Sequence, residues 1–425
     1  MLPLLRAALP LLLSIGTGIV AQLFCTLLLG HESPAQLAAF ALAGAVLHPV
    51  NAAVSGALRG LSPFVAPFRE DPATALPYLR DARWLAIALG TAGAAILLCT
   101  PWIVSGAAPE VRAELGPLPV LLAANVLLSS VGGGANGALI AFGRRRQVLW
   151  SSLAATAAEV LVLLLLVPRL GVTGAGLALL TSTAVALTVS RTLLHRVLGL
   201  SFHPGRPRPR EIWRMARVGL PLSATLIVKF AAMAVVAYAA ARLGARAAAS
   251  HSVLLTLDLL LGLLAFATGL ASTPEVARAA TPSHARRVGG SALAVAAAGV
   301  LACGGAALLL PVGRWFSADP VVVELVESTV PLLVAYSLVT GCGMVLTASF
   351  AGLRRTGWSL GAALACYGLL VPAVLAAGDL AGMWAVLVGC EVVGLVVKLA
   401  GWWRVTSFPA SGTTGRSGVR SGPPR

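Results

Sequence analysis

The chain has 425 residues, of which 58% are hydrophobic and 11% charged, with a formal net charge of +16. A soluble domain carries about 25% charged residues, so this balance excludes a soluble protein and leaves few polar side chains for catalysis. The chain reads as a membrane protein and not as an enzyme.

The opening stretch, MLPLLRAALPLLLSIG, resembles a short signal peptide. No convincing cleavage site follows it and eleven further apolar runs do, so it reads as the first span. A helix needs about 20 residues to cross the hydrocarbon. That length predicts spans at 9–29, 38–64, 84–104, 117–141, 149–168 and 172–194, then at 218–241, 250–273, 288–311, 328–350, 358–377 and 381–403. Because lipid offers no partner to a backbone N–H or C=O, these spans are helices and the fold class is all-α. HPGRPRPREIW (203–213) reads as an extended, proline-rich linker. The last residues, SGTTGRSGVRSGPPR, read as a disordered tail.

The cations are distributed unevenly along this pattern. Alternate connections carry 23 of the 31 Lys and Arg, the opposite set carries five, and Arg59, Lys229 and Lys398 fall inside spans. The positive-inside bias therefore predicts a multi-pass protein of the cell inner (cytoplasmic) membrane with both termini cytoplasmic. It also accounts for the net charge without a nucleic-acid partner. The expected partners are the lipid bilayer and a small-molecule substrate, and the chain is expected to function as a monomer. The six cysteines lie within apolar runs without C-x-x-C spacing, and the six histidines are scattered. No metal site and no cofactor is predicted beyond a coupling proton or sodium ion.

The chain also repeats itself. RAALPLLLS from Arg6 returns as RVGLPLSAT from Arg217, an offset of 211, and the Arg145-Arg146 pair after the fourth span returns as Arg354-Arg355, an offset of 209. Six spans per repeat is an even number, so both halves enter the membrane from the same side. Parallel repeats of this kind are related by an axis along the membrane normal and hold substrate near the midplane. The predicted organisation is a six-helix bundle over 1–200, a cytoplasmic linker over 201–213, a second bundle over 214–405 and a tail over 406–425. A pseudo-two-fold relates the bundles, with a central cavity between them.

Several of these segments resemble the multidrug and toxic compound extrusion (MATE) transporters. ALPLLLSIG followed by LLLGHESPAQLAAFALAGAV is similar to the first two spans of that family. GLPLSATLI with ARLGARAAASHSVLL, including His251, is similar to the seventh and eighth. LGVTGAGLALLTSTAVAL resembles the sixth, and LRRTG (353–357) resembles the motif after the tenth. The resemblance implies twelve helices around a cavity lined largely by helices 1, 2, 7 and 8, and export driven by a proton or sodium gradient. Three positions at which relatives carry a coupling carboxylate are occupied here by Cys25, Lys229 and Gly343. The usual acids are therefore absent.

The acids well inside spans are Glu159, Asp258 and Glu391. Glu159 and Glu391 either bond neighbouring helices or serve the cavity. Lys398, seven residues beyond Glu391, is too far along the helix for an ideal direct pair and reads as snorkelling to the cytoplasmic face. Lys229 and Asp258 lie on consecutive helices at depths that differ by roughly 6 Å, which a lysine stem spans. They are expected to form a buried pair at the cavity wall, either functional, which is the default for intramembrane charges, or an inert bridge between the helices. Arg59 either snorkels or faces the cavity, and Gln22 and Asn51 are candidate polar contacts. The reading that follows is a MATE-like secondary active transporter exporting small, partly hydrophobic compounds by alternating access. The alternative is a flippase for anionic lipid-linked saccharides.

Overall fold

The computed structural model describes residues 2–105, 109–199, 205–316 and 319–407. The first half supplies helices α1 (Leu2–Glu32), α2 (Pro34–Leu58), α3 (Leu76–Leu98), α4 (Leu118–Ala141), α5 (Arg145–Leu170) and α6 (Val172–Leu198). The second supplies α7 (Pro209–Arg242), α8 (Ala245–Ala277), α9 (Pro282–Leu309), α10 (Pro320–Gly352), α11 (Gly357–Leu375) and α12 (Leu380–Ser407). Twelve spans long and apolar enough to cross a membrane are present, and the described residues contain no strand. The protein is thus an all-α, multi-pass membrane protein.

Each predicted span has its helix, and most helices overrun the predicted ends because they continue past the hydrocarbon into polar sequence. Local chemistry sets where they start. α7 begins at Pro209 rather than 218, with proline in the first turn, where its missing N–H is one of the orphans. α9 and α10 begin in the same way, and there Thr281 and Asp319 also cap the helix by accepting from His284 N and Val321 N. Of the linker assigned to 201–213, residues 201–204 lie outside the described residues. So does the tail from residue 408 onward. Residues just before α7 are docked rather than free: Trp84 Nε1 donates to Gly205 O at 3.0 Å, and Arg208 Nη2 stands 2.6 Å from the buried carboxylate of Asp81.

The two halves pack by the same plan. In the first lobe α1 lies on α5, α2 on α3 and α4, α3 on α4, α4 on α6, and α5 on α6. The second lobe repeats every one of these pairings six helices later. Between the lobes α1 packs on α8 and α2 on α7, two contacts that exchange when the lobes exchange. That is the signature of a pseudo-two-fold.

The turns after α4 and α10 fix the register of the repeat. Arg144 N donates to Leu139 O at 2.7 Å and Gly143 N to Ile140 O at 3.0 Å; Arg355 N donates to Phe350 O at 2.9 Å and Arg354 N to Ala351 O at 3.1 Å. Both are helix C-caps of the type that needs one residue at positive φ, supplied by Gly143 at +76° and by Arg354 at +57°. The offset is therefore 211 here as well. The 209 from matching the arginine pairs is corrected, because backbone geometry rather than side-chain identity aligns the turns.

The hydrophobic core shows how the lobes meet. Around the ends of the helices with few basic residues there are two separate clusters, one built from first-lobe residues such as Leu29, Leu47 and Leu122, the other from second-lobe residues such as Val236, Leu254 and Trp384. At the opposite end, where the arginine-rich connections lie, a single cluster joins Ala8, Leu11, Phe64 and Leu139 of the first lobe to Met215, Ala267 and Ala271 of the second. The lobes are thus fused at the basic end and have independent cores at the other. Small residues allow the close approach there: a Cβ added to Gly219 would stand 2.1 Å from Ala57 O, and one added to Gly60 2.8 Å from Gly219 N.

Two arginine clamps reinforce the basic end, one from each lobe. Arg145, at the start of α5, donates from Nη2 to Ala271 O and to Glu275 Oε1, both at 3.0 Å, at the end of α8. Arg354 reaches the other way, donating from Nη2 to Pro63 O at 2.8 Å with its guanidinium 4.0 Å from the Phe64 ring centroid. Positions 63–64 and 274–275 are related by the same offset of 211, and both begin with proline. The two clamps therefore grip matched positions, although the arginines that grip them stand two residues apart in register. Charge-assisted hydrogen bonds of this kind contribute about 1.5–3 kcal/mol each.

Candidate functional site

Just above the fused end lies a cavity of about 180 Å³. Its apolar wall includes Leu58, Ile140, Leu226, Phe266, Leu270 and Met344. Its charged lining is Arg59, Lys229, Lys398 and Glu391. The cavity is not centred on helices 1, 2, 7 and 8. The lining comes from α2 and α4 of the first lobe and from α7, α8, α10, α11 and α12 of the second, and no residue of α1 is among it. The asymmetry has a sequence cause: α12 brings Glu391 and Lys398, whereas α6 carries no charged residue before Arg191.

Lys229 projects from α7 into this space, as expected of a cation that must avoid acyl chains. The expected direct pair with Asp258 is not formed. Asp258 lies close enough to feel the ammonium electrostatically, yet its Oδ1 accepts from Ser337 Oγ of α10 at 2.6 Å and no Lys–Asp contact falls within salt-bridge distance. Asp258 is also not among the cavity-lining residues. Helix depth alone made the contact reachable; the packing of α8 on α10 turned the carboxylate elsewhere.

Lys398 departs from its sequence reading. It does not snorkel but lines the cavity, with Nζ 3.1 Å from where a Cβ on Gly343 would stand. The absence of a side chain at Gly343, one of the three positions without the familiar acid, is what leaves room for this ammonium. Glu391 lines the same cavity and accepts from Tyr367 OH at 2.7 Å through Oε1. Two turns of helix separate Glu391 from Lys398, so they interact across the cavity without a direct contact.

Arg59 faces the cavity and does not snorkel. Its guanidinium carbon lies 4.8 Å from the Phe266 ring centroid, a cation–π contact between the lobes. Cys25 and Glu159 are buried together in the first lobe, Asn51 accepts weakly from Ser129 Oγ at 3.5 Å, and Gln22 is half-buried on α1. None of these four lines the cavity. His251 is buried against Trp384 with ring centroids 5.7 Å apart, within the core of the second lobe.

One signal in the sequence pointed to this site. The chain contains 29 arginines and two lysines, and both lysines line the cavity. Every loop cation is arginine. A compact, strongly hydrated ammonium has a different use from the planar guanidinium fork, which matches carboxylate and phosphate geometry bidentately. Tyr367, by contrast, carried no signal, because a lone tyrosine in an apolar run looks like core.

Two lobes of six helices, related by a pseudo-two-fold and enclosing a charged cavity at depth, define a membrane protein of the duplicated-transporter fold. No protein-family model matches the chain. In sequence it is similar to the multidrug resistance protein NorM of Aromatoleum aromaticum, 26% identical over 363 residues covering 78% of this chain and 76% of that one. In structure it is similar to an outward-facing multidrug resistance transporter of the MATE family, with a TM-score of 0.85, 20% identity and 95% of each chain covered. It is also similar to a transporter of the MOP superfamily from Pyrococcus furiosus, described as having a reverse polarity of its binding pocket that suggests a different function, with a TM-score of 0.83, 19% identity and 95% of each chain covered. The chain has the MATE fold, and in sequence it is a relative of NorM.

Proposed function

We propose that this chain is a secondary active transporter that exports small, partly hydrophobic compounds by alternating access between its two lobes. One observation carries the reading: the lobes share a core only at the basic end, directly below a cavity lined by both apolar and charged groups. With the basic end cytoplasmic, this arrangement corresponds to a cavity closed to the cell interior. Breaking the shared core and the two clamps while joining the outer halves gives the opposite state. The bundles 1–200 and 214–405 are the moving units, in the inner membrane with both ends of the chain cytoplasmic. A single chain supplies the whole cavity, which supports function as a monomer.

Coupling depends on what is carried. For a neutral or cationic compound an ion must return, and Glu391 is the carboxylate among the lining residues that can carry a proton. Sodium needs several hard oxygen ligands, and two ammonium groups facing the same space disfavour it. A flippase of anionic lipid-linked saccharides is the second reading, favoured by the excess of cations in the lining. The test is efflux from cells expressing the chain, with proton and sodium gradients collapsed separately. Export that stops with the proton gradient and persists without sodium supports return through Glu391. The absence of any efflux, or transport only of lipid-linked saccharide, overturns the exporter reading.

A further inference from the structure

The cavity holds three cationic side chains against one carboxylate. Lys229, Lys398 and Arg59 make no salt bridge and no side-chain hydrogen bond among the described residues. Glu391 acts electrostatically on Lys398 and is hydrogen-bonded to Tyr367 rather than to either ammonium group. Charges taken out of water are costly unless paired; the lining holds two more cations than carboxylates, and Asp258 outside it acts on Lys229 only at a distance, so the largely apolar chamber still needs a counter-charge. A cationic compound entering this space would meet repulsion from all three. An anion would meet three donors on different walls, α7, α12 and the segment after α2, with the apolar wall to hold its body.

We propose that the cavity is an anion site, taking amphiphilic organic anions that bear a carboxylate, sulfonate or phosphate group. Lys229 and Lys398 hold the charged group, with Arg59 on Phe266 at the wall beneath. This deepens the transport reading and rests on it. It also fits a cation at Lys229 and the absence of a carboxylate at Gly343, which stands against Lys398. In a cell whose interior is negative, the membrane potential itself expels an anion, so no returning cation is required. A proton on Glu391 would strengthen the hold on the anion rather than displace it. Carboxylates at positions 229 and 343 would oppose the substrate.

The experiment uses the full chain in liposomes, with a potential set by a potassium gradient and valinomycin. The probes are radiolabelled para-aminohippurate as a small anion, ethidium as a cation, and a lipid-linked diphosphate as the headgroup source of the same chemistry. Expected is para-aminohippurate movement that reverses when the sign of the potential is reversed. A potential of about 100 mV should sustain a roughly 50-fold gradient, about 2.3 kcal/mol per unit charge. Lys229→Gln and Lys398→Gln should each weaken para-aminohippurate binding about tenfold while the protein still elutes as a folded species in detergent. Movement of the lipid-linked diphosphate alone would keep the anion site and assign its source to a lipid headgroup. Ethidium transport without anion transport, or folded lysine variants with unchanged anion binding, would overturn the proposal and leave the transport reading intact. Movement of none of the three probes would overturn both.

Discussion

The ammonium of Lys398 rests against Gly343: a Cβ added to the glycine would stand 3.1 Å from Nζ. A larger residue at 343 therefore acts on the cavity through Lys398. Gly343→Asp should place a carboxylate beside the ammonium and pair with it. Binding of an organic anion should weaken about tenfold, roughly 1.4 kcal/mol, while Gly343→Ala should cost less than threefold. Titration of both variants with a labelled organic anion checks this.

Glu391 and Tyr367 are joined at 2.7 Å in the same cavity. Glu391→Gln keeps an acceptor for the tyrosine and removes the one negative charge in the lining. Anion binding should tighten several-fold, and potential-driven anion transport should persist. Tyr367→Phe leaves the buried carboxylate without its donor and should destabilise the fold by about 1.5–3 kcal/mol. Binding titrations and thermal unfolding in detergent separate the two effects.

At the fused end, Gly219 leaves no room for a side chain, since its Cβ would lie 2.1 Å from Ala57 O. Gly219→Ala must push α7 away from α2, with an overpacking cost of about 1–3 kcal/mol in the closed state. A reporter cysteine at Ser62 should become several-fold more reactive to a reagent applied from the basic side.

The two clamps act on the same equilibrium by different chemistry. Arg354→Ala removes both the bond to Pro63 O and the stacking on Phe64, and Glu275→Gln weakens the Arg145 pair. Each should shift the lobes towards separation at the basic end, and the double variant should exceed either. Distances between spin labels on the connections after α4 and α10 should lengthen or broaden accordingly. Because Arg354 holds a positive φ, Arg354→Gly should lose the clamp yet retain the turn. It should therefore match Arg354→Ala in lobe separation while unfolding at a higher temperature.

The architecture was legible in the sequence because a bilayer imposes length and polarity on every helix. The twelve spans, the duplication and the basic end all follow from runs of about 20 apolar residues and from where the arginines fall. The site was legible only in part. The cost of a charge in lipid pointed Lys229 towards the cavity, while for Arg59 the sequence left snorkelling and the cavity both open. The partner of Asp258 could not be read, because a hydrogen bond to Ser337 depends on how α8 rolls against α10, which no spacing along one helix encodes. Lys398 was misplaced for a related reason. Its distance from the helix end suited snorkelling, and the space that draws it inward exists only because Gly343 lies opposite on another helix. The seven-residue gap from Glu391 correctly excluded direct contact but not a shared chamber.

Since the chain has two lysines, an amine-reactive ester labels Lys229, Lys398 and a terminal amine. Mass spectrometry of the labelled protein in membranes, with and without a transported compound, therefore reads the cavity directly. Both lysines should label from water, and saturating substrate should slow both by at least fivefold while terminal labelling is unchanged. Lysines that react equally fast in the presence of a compound the protein demonstrably exports would contradict the assignment of this cavity as the substrate site.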